Sequence, residues 1–97
     1  MSDSEVPVAG EPSAGDQPAG RAHAVLEYLA TSLVDDPTAV SIEESPARGG
    51  TRLSLRVAPD DMGRVIGRRG RVAQAIRAVV RAAGASEGHD VSVDIVD

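Results

Sequence analysis

The pattern of apolar residues predicts an α+β fold of order α-β-β-α-α-β, a three-stranded mixed sheet with three helices on one face. Three observations lead there. Apolar side chains return at helical spacing between Ala22 and Val34, and they alternate between Thr38 and Val57. After Val57, two helical stretches parted by a Gly-x-x-Gly turn precede a last alternating run, Val91 to Ile95.

The first helix follows from Leu26, Leu29, Ala30 and Leu33 at i, i+3, i+4 and i+7. Pro37 stops it, and Asp36, preceding a proline, is pushed toward extended geometry. Thr38 to Glu44 reads as a short strand with Val40 and Ile42 on one side, and Ser45 to Gly50 as a turn. Thr51 to Val57 places Leu53, Leu55 and Val57 inward and Arg52, Ser54 and Arg56 outward, so the hairpin has one wet face. Ala58-Pro59-Asp60-Asp61 opens the second helix, with Asp60 suited to its N-cap. Gly67 ends it after Ile66. The third helix runs from about Gly70 to Ala83, with Val72, Ala75, Ile76, Val79, Val80 and Ala83 as its stripe and Gly84 as its C-cap. A helical crossover between the second and third strands implies that these lie parallel in one sheet, joined with right-handed sense.

A chain of 97 residues has room for one domain. Residues 1–21 differ from the rest. Up to Gly20 they are rich in Gly, Pro, Ser, Ala and acid, and apart from Met1 their only large aliphatics are Val6 and Val8. Such a segment buries too little apolar surface to offset the entropy of ordering it, which predicts a disordered acidic tail ahead of a folded domain at 22–97. The chain has no cysteine, which excludes a disulfide framework and a thiolate zinc site. It has no apolar run of membrane-spanning length and no basic-then-apolar start, so the expectation is a cytoplasmic protein with no membrane association.

The net charge of −5 argues at first against a polyanionic partner, but the charges are segregated. Asp3, Glu5, Glu11 and Asp16 lie in the first twenty residues, which hold no base. Between Met62 and Ser86 stand Arg64, Arg68, Arg69, Arg71, Arg77 and Arg81, with no acid among them. The most informative residues lie inside that basic stretch, at Gly67-Arg68-Arg69-Gly70. Glycines at both ends let the backbone turn sharply and let another backbone approach. The third helix opens here, so its unpaired N–H groups and positive dipole end face whatever sits at the turn, and a phosphate fits that position. Arg68 and Arg69 add forked donors matched to phosphate oxygens, with Arg64 and Arg71 close by in sequence. Val65, Ile66, Val72 and Ile76 are the candidates for an apolar wall against which unstacked bases lie.

A Gly-x-x-Gly turn between helices is often only a helix stop and a helix start, so the turn alone discriminates little. Aliphatic flanks, two basic variable positions and its place between the second and third helices narrow the reading. With these features Val65-Ile66-Gly67-Arg68-Arg69-Gly70 and the following aliphatic resemble the signature of KH domains, and the element order resembles the type II, bacterial arrangement. The stretches Ala24–Pro37 and Val57–Gly67 further resemble the KhpA family of small single-KH-domain bacterial proteins. The resemblance covers about Ala22 to Asp97 and leaves the acidic segment unassigned. It implies a single-stranded RNA-binding protein whose backbone loop is Gly67, Arg68, Arg69 and Gly70. It also implies an RNA chaperone or post-transcriptional regulator that acts with a KhpB (Jag)-type KH protein, linked to cell-wall homeostasis and cell-length control.

Other readings are weaker. Gly63, Gly67 and Gly70 do not make a dinucleotide fingerprint, and no Lys-Ser/Thr follows for a nucleotide loop, so the sequence calls for no cofactor. His23 and His89 read as surface histidines, and the Asp35-Asp36 and Asp60-Asp61 pairs as helix-end residues, so no enzyme activity is expected. Tyr28, the only aromatic, reads as partial core packing or the edge of an interface, and Arg52 and Arg56 as a solvated strand face. Two alternatives stay open: a homodimerising or partner-binding module whose glycine turn is structural, and a single-stranded DNA binder using the same clamp.

Overall fold

A computed structural model describes residues 20–96. The helical spacing near the start produces α1 (Gly20–Leu33), which buries Ala22, Leu26 and Ala30 along one line and half-buries Val25 and Leu29 beside it. Gly20 and Arg21, expected in the acidic tail, form the first turn of this helix. The rest of that tail lies outside the described residues.

The chain after α1 departs from the expected strand. Pro37–Ala39 is a 3₁₀ turn, because the Asp36 carboxylate accepts a hydrogen bond from the Thr38 N–H at 3.2 Å and Pro37 presets the turn. Strand β1 therefore begins late, at Ser41, and runs on to Ala47 through the stretch expected to turn. It pairs antiparallel with β2 (Gly50–Arg56), from Ser41 opposite Arg56 to Ala47 opposite Gly50. Pro46 is tolerated there for a specific reason. Its partner Thr51 directs its N–H the other way, to the Asp90 carbonyl at 2.9 Å, so the Pro46 position needs no donor toward β2.

After β2, a 3₁₀ turn at Pro59–Asp61 leads into α2 (Met62–Ile66), another 3₁₀ turn at Arg68–Gly70 into α3 (Arg71–Ala85), and the chain ends its described part in β3 (Val91–Ile95). Strand β3 lies parallel to β2, Thr51 opposite Val91 and Leu55 opposite Ile95, giving the sheet order β1-β2-β3. The mixed sheet and the α-β-β-α-α-β order thus agree with the fold expected from the sequence.

The core joins Leu26 of α1, Leu53 and Leu55 of β2, Val65 of α2, Ile76 and Val80 of α3 and Val91 of β3. The opposite face of the sheet presents Ser41, Glu43 and Ser45, then Arg52, Ser54 and Arg56, then Ser92 and Asp94, in register. Arg52 and Arg56 are exposed on it, as a solvated face requires.

Four expectations change. Asp60 does not cap α2; it is exposed, and it is Asp61 that is buried. Gly84 is not a C-cap but an interior residue of α3, where a Cβ would stand 2.7 Å from Val91 Cγ2. Its lack of a side chain lets α3 settle onto β3. The left-handed glycine past the helix is Gly88, at φ +80°. The buried line of α3 is Ala73, Ile76, Val80 and Gly84, so Ala75 and Val79 of the expected stripe face outward. Tyr28 is 71% exposed and packs in no core.

Candidate functional site

The bend between α2 and α3 is built by its two glycines. Gly67 adopts φ +76°, ψ 174°, a region essentially reserved for glycine. A Cβ there would also overlap Val72, standing 2.7 Å from its Cβ and 2.9 Å from its backbone nitrogen. Gly67 is thus required twice, by dihedral angle and by space. Gly70 is left-handed at φ +73°, ψ 14°, but a Cβ on it would meet nothing within 4 Å, so there the dihedral angle alone demands glycine. Between them Arg69 also takes a left-handed conformation, φ 59°, ψ 25°, and is the one non-glycine residue with positive φ among the described residues. Hydrogen bonds from Gly67 N–H to Gly63 O at 2.9 Å and from Gly70 N–H to Gly67 O at 3.1 Å tie the bend to itself.

The consequence is a protruding turn. Arg68, Arg69 and Arg71 are exposed, and none of them forms an ion pair with another described residue. No side chain caps the start of α3, because its N-cap residue is Gly70. The result is three guanidinium groups around the positive end of a fifteen-residue helix, with no carboxylate paired to them among the described residues.

Of the expected apolar wall, only part faces outward. Ile66 is 37% exposed and Val72 is half-buried against Gly67, whereas Val65 and Ile76 belong to the core.

Arg64 has a different setting from the other arginines. Its Nη2 donates to Asp35 at 2.9 Å and its Nε lies 3.2 Å from Asp61, so its guanidinium is engaged within the domain. Asp61, 2% exposed, accepts the N–H groups of Asp35 and Asp36 at 3.1 Å each. The Asp35 N–H is the largest influence holding this carboxyl below the usual carboxylate range. The Asp36 N–H and the Arg64 guanidinium act in the same direction, against the opposing effect of burial. This stitch fastens the end of α1 to the start of α2 and so sets the base from which the bend projects. The sequence showed the acids and the arginine but not that they meet, since Asp35 and Arg64 are 29 residues apart.

Two further features were not read from the sequence. The backbone groups of Thr51 and Leu55 bond to Asp90 and Val96, which leaves those of Val91, Val93 and Ile95 on the outer edge of β3. Arg77 of α3 reaches that edge with a long contact of 3.5 Å to the Val93 carbonyl. The second feature is a groove of about 300 Å³ between α1 and α3, lined by Leu29, Leu33, Val72, Ala75, Ile76 and Val79, with Arg71 at one end. Its signal in the sequence was the breadth of the α3 stripe, wider than covering one sheet face requires.

Among the described residues no group of three or more His, Cys, Asp or Glu side chains is placed to hold a metal ion. No described helix is long and apolar enough to cross a membrane.

The model of the KhpA/KhpB KH domain matches residues 23–95. An RNA-binding protein KhpA of Clostridium acetobutylicum is 47% identical over 72 residues, 74% of this chain and 96% of that protein. The protein of the same name in Streptomyces coelicolor is 49% identical over 72 residues, 74% of this chain and 87% of the relative. Among solved structures, Aquifex aeolicus Era bound to GDP and aluminium fluoride matches with a TM-score of 0.57 at 17% identity, over 77% of this chain and 30% of that one, a likeness of fold alone. The family match takes in the helix–bend–helix unit, the sheet and the core, and on that extent the chain belongs to the KhpA/KhpB KH-domain family.

Proposed function

We propose that this protein binds single-stranded RNA, with the turn from Gly67 to Gly70 holding the sugar–phosphate chain. The observation that carries the reading is the left-handed, glycine-bracketed turn that projects Arg68, Arg69 and Arg71 around an uncapped helix start. Backbone N–H groups, a helix dipole and forked guanidinium donors all favour phosphate oxygens. Ile66 and Val72 offer a short apolar surface for one or two bases. The relatives named RNA-binding protein KhpA support the same reading, since they align across this turn.

With Tyr28 on α1 as its single aromatic, the domain lacks an aromatic side chain on the turn itself to act as a base-stacking platform. Binding is therefore weak and tolerant of sequence, with Kd on the order of micromolar or above. A protein of this kind acts as an RNA chaperone or post-transcriptional regulator in the cytoplasm, with a KhpB-type KH protein as partner and cell-wall homeostasis and cell length as its outputs. Arg64, held by Asp35 and Asp61, serves the frame of the site more than its surface.

Fluorescence anisotropy with labelled single-stranded RNA, single-stranded DNA and duplex RNA tests the proposal. The full chain binds the single strands, and the Arg68→Asp/Arg69→Asp variant loses at least tenfold in affinity while keeping its circular dichroism spectrum. Unchanged affinity in that variant would falsify the assignment of the turn. One observation favours a second reading, a protein-docking module: the apolar groove between α1 and α3. In that case the double variant keeps its protein contacts, and no oligonucleotide binds the full chain at any salt concentration.

A further inference from the structure

Helix α3 carries three files of side chains, and the RNA reading above uses only its first turn. Ala73, Ile76, Val80 and Gly84 are buried. Val72, Ala75 and Val79 line the groove toward α1. On the other side of the buried line stand Gln74, Arg77 and Arg81, at i, i+3 and i+7, and all three are exposed. This third file starts one turn past Arg71 and runs beside the outer edge of β3, where the Arg77 Nε reaches the Val93 carbonyl at 3.5 Å.

We infer that Gln74, Arg77 and Arg81 form a second phosphate-contacting surface, which carries a single RNA strand onward from the turn for about four more nucleotides. The inference rests on the RNA-binding reading of the turn and extends it to a strand length.

The first observation is charge. No acid lies between Met62 and Ser86, and neither Arg77 nor Arg81 forms an ion pair with another described residue. Two like charges four residues apart on an exposed helix repel each other, and an anion lying along them relieves the repulsion. Arg81 is near the C-terminal end of α3, where the helix dipole favours a cation, but Arg77 in mid-helix has no such gain. The contact with Val93 engages one N–H of Arg77, and a guanidinium carries several more.

The second observation is length. Arg81 lies ten residues past Arg71, about 15 Å along the axis at 1.5 Å per residue. A stacked strand advances about 3.4 Å per nucleotide, so this distance takes about four nucleotides. With about four held at the turn, the whole site accepts about eight. Beyond α3 the sign of charge reverses. Glu87 and Asp90 follow, and Glu87 pairs with Arg21 of α1 at 3.5 Å, so the surface ends at Arg81.

The third is independence from the rest of α3. The apolar groove lies across the buried line, so whatever covers the groove leaves this file open. A guanidinium beside an edge strand has a plainer use, which is to keep other chains from pairing with that edge. That use asks nothing of the length of an RNA strand, and length therefore separates the two.

The test uses the full chain, the Arg77→Gln/Arg81→Gln variant and oligouridylates of four, eight and twelve nucleotides. Binding is followed by ¹H–¹⁵N spectra for the shortest strand and by anisotropy for the others. An eight-nucleotide strand can sit on a four-nucleotide site in five registers, which alone gives about a fivefold gain over four nucleotides. The parent is expected to gain about thirtyfold or more at low salt and little further at twelve, and the variant only about fivefold. The slope of log Kobs against log salt on eight nucleotides is expected to be about 1.4 steeper in the parent than in the variant, for two phosphate contacts. Equal gains in parent and variant overturn the inference and leave Arg77 and Arg81 as guards of the β3 edge. So does a gain in the parent that stays near fivefold, or two copies of the protein on one eight-nucleotide strand in sedimentation. If four nucleotides move the amides of Gly67 and Gly70 while the length gain is missing, only the extension fails. If no strand of any length moves those amides or the Nε–H signals of Arg77 and Arg81, the RNA reading fails and takes the extension with it.

Discussion

Gly67 and Gly70 bracket the same turn, yet the structure asks different things of them. At Gly70 only the left-handed φ matters, because the space around it is open. Gly70→Ala is therefore expected to cost about 1–2 kcal/mol, the usual penalty for an L-residue in that region. Gly67→Ala adds an overlap with Val72 to dihedral angles that side chains hardly reach, so it is the more damaging change. Urea unfolding of both variants checks the order, and equal midpoints would show that the Val72 contact gives way freely. Arg69 already carries left-handed strain without being glycine. Arg69→Gly is then expected to leave stability unchanged or slightly higher while weakening RNA binding, since it relieves the backbone and removes a guanidinium. That separation of stability from affinity is measured by thermal melting and anisotropy on one preparation.

At the scale of elements, the contact between α1 and α2 depends on a buried carboxylate. Asp61 is held below its ordinary value, so its contribution to stability is complete above the unfolded carboxyl pKa near 3.8 and is lost as pH falls through the lower folded value. The expected result is that Asp61→Asn lowers the urea midpoint at neutral pH, and that the gap between parent and variant narrows steadily below about pH 4. A gap constant down to pH 2 would remove Asp61 as the cause. Helix α3 meets β3 across Gly84. In Gly84→Ala the crowding against Val91 costs about 1–3 kcal/mol, and the better helix propensity of Ala returns up to about 1 kcal/mol. The variant is expected to melt below the parent, and the loss is expected to shrink in a Val91→Ala background, a coupling that a double-mutant cycle reads directly.

For the molecule as a whole, the net charge of −5 hides a local separation of sign, with no base in the first twenty residues and no acid among the arginines between Met62 and Ser86. A polyanion responds to the local field, so binding is expected to depend steeply on salt. If three or four arginines contact phosphates, log Kobs against log salt falls with a slope of about −2 to −3 on single strands. Arg64→Gln is expected to leave that slope unchanged while lowering the melting temperature, because its partners are Asp35 and Asp61. A flatter slope in Arg64→Gln would return this residue to the binding surface.

Elements whose residues repeat at a fixed period were legible without coordinates. Leu26 and Leu29 announce α1, Leu53 and Leu55 announce β2, and the turn at Gly67–Gly70 stands out because glycines mark where a backbone must bend. Boundaries were less legible wherever a contact outside the local window decided them. Pro46 continues a strand because its neighbour Thr51 bonds toward β3, and Gly84 stays within its helix because β3 lies against it. The stitch of Asp61 with Asp35, Asp36 and Arg64 and the groove between the antiparallel α1 and α3 share that origin. The sequence by itself determined the order of elements, the basic turn and the segregation of charge, because periodicity and composition are local quantities. Tertiary structure alone decided which arginines stay open to a ligand and which apolar side chains are left uncovered, because both depend on partners distant in the chain.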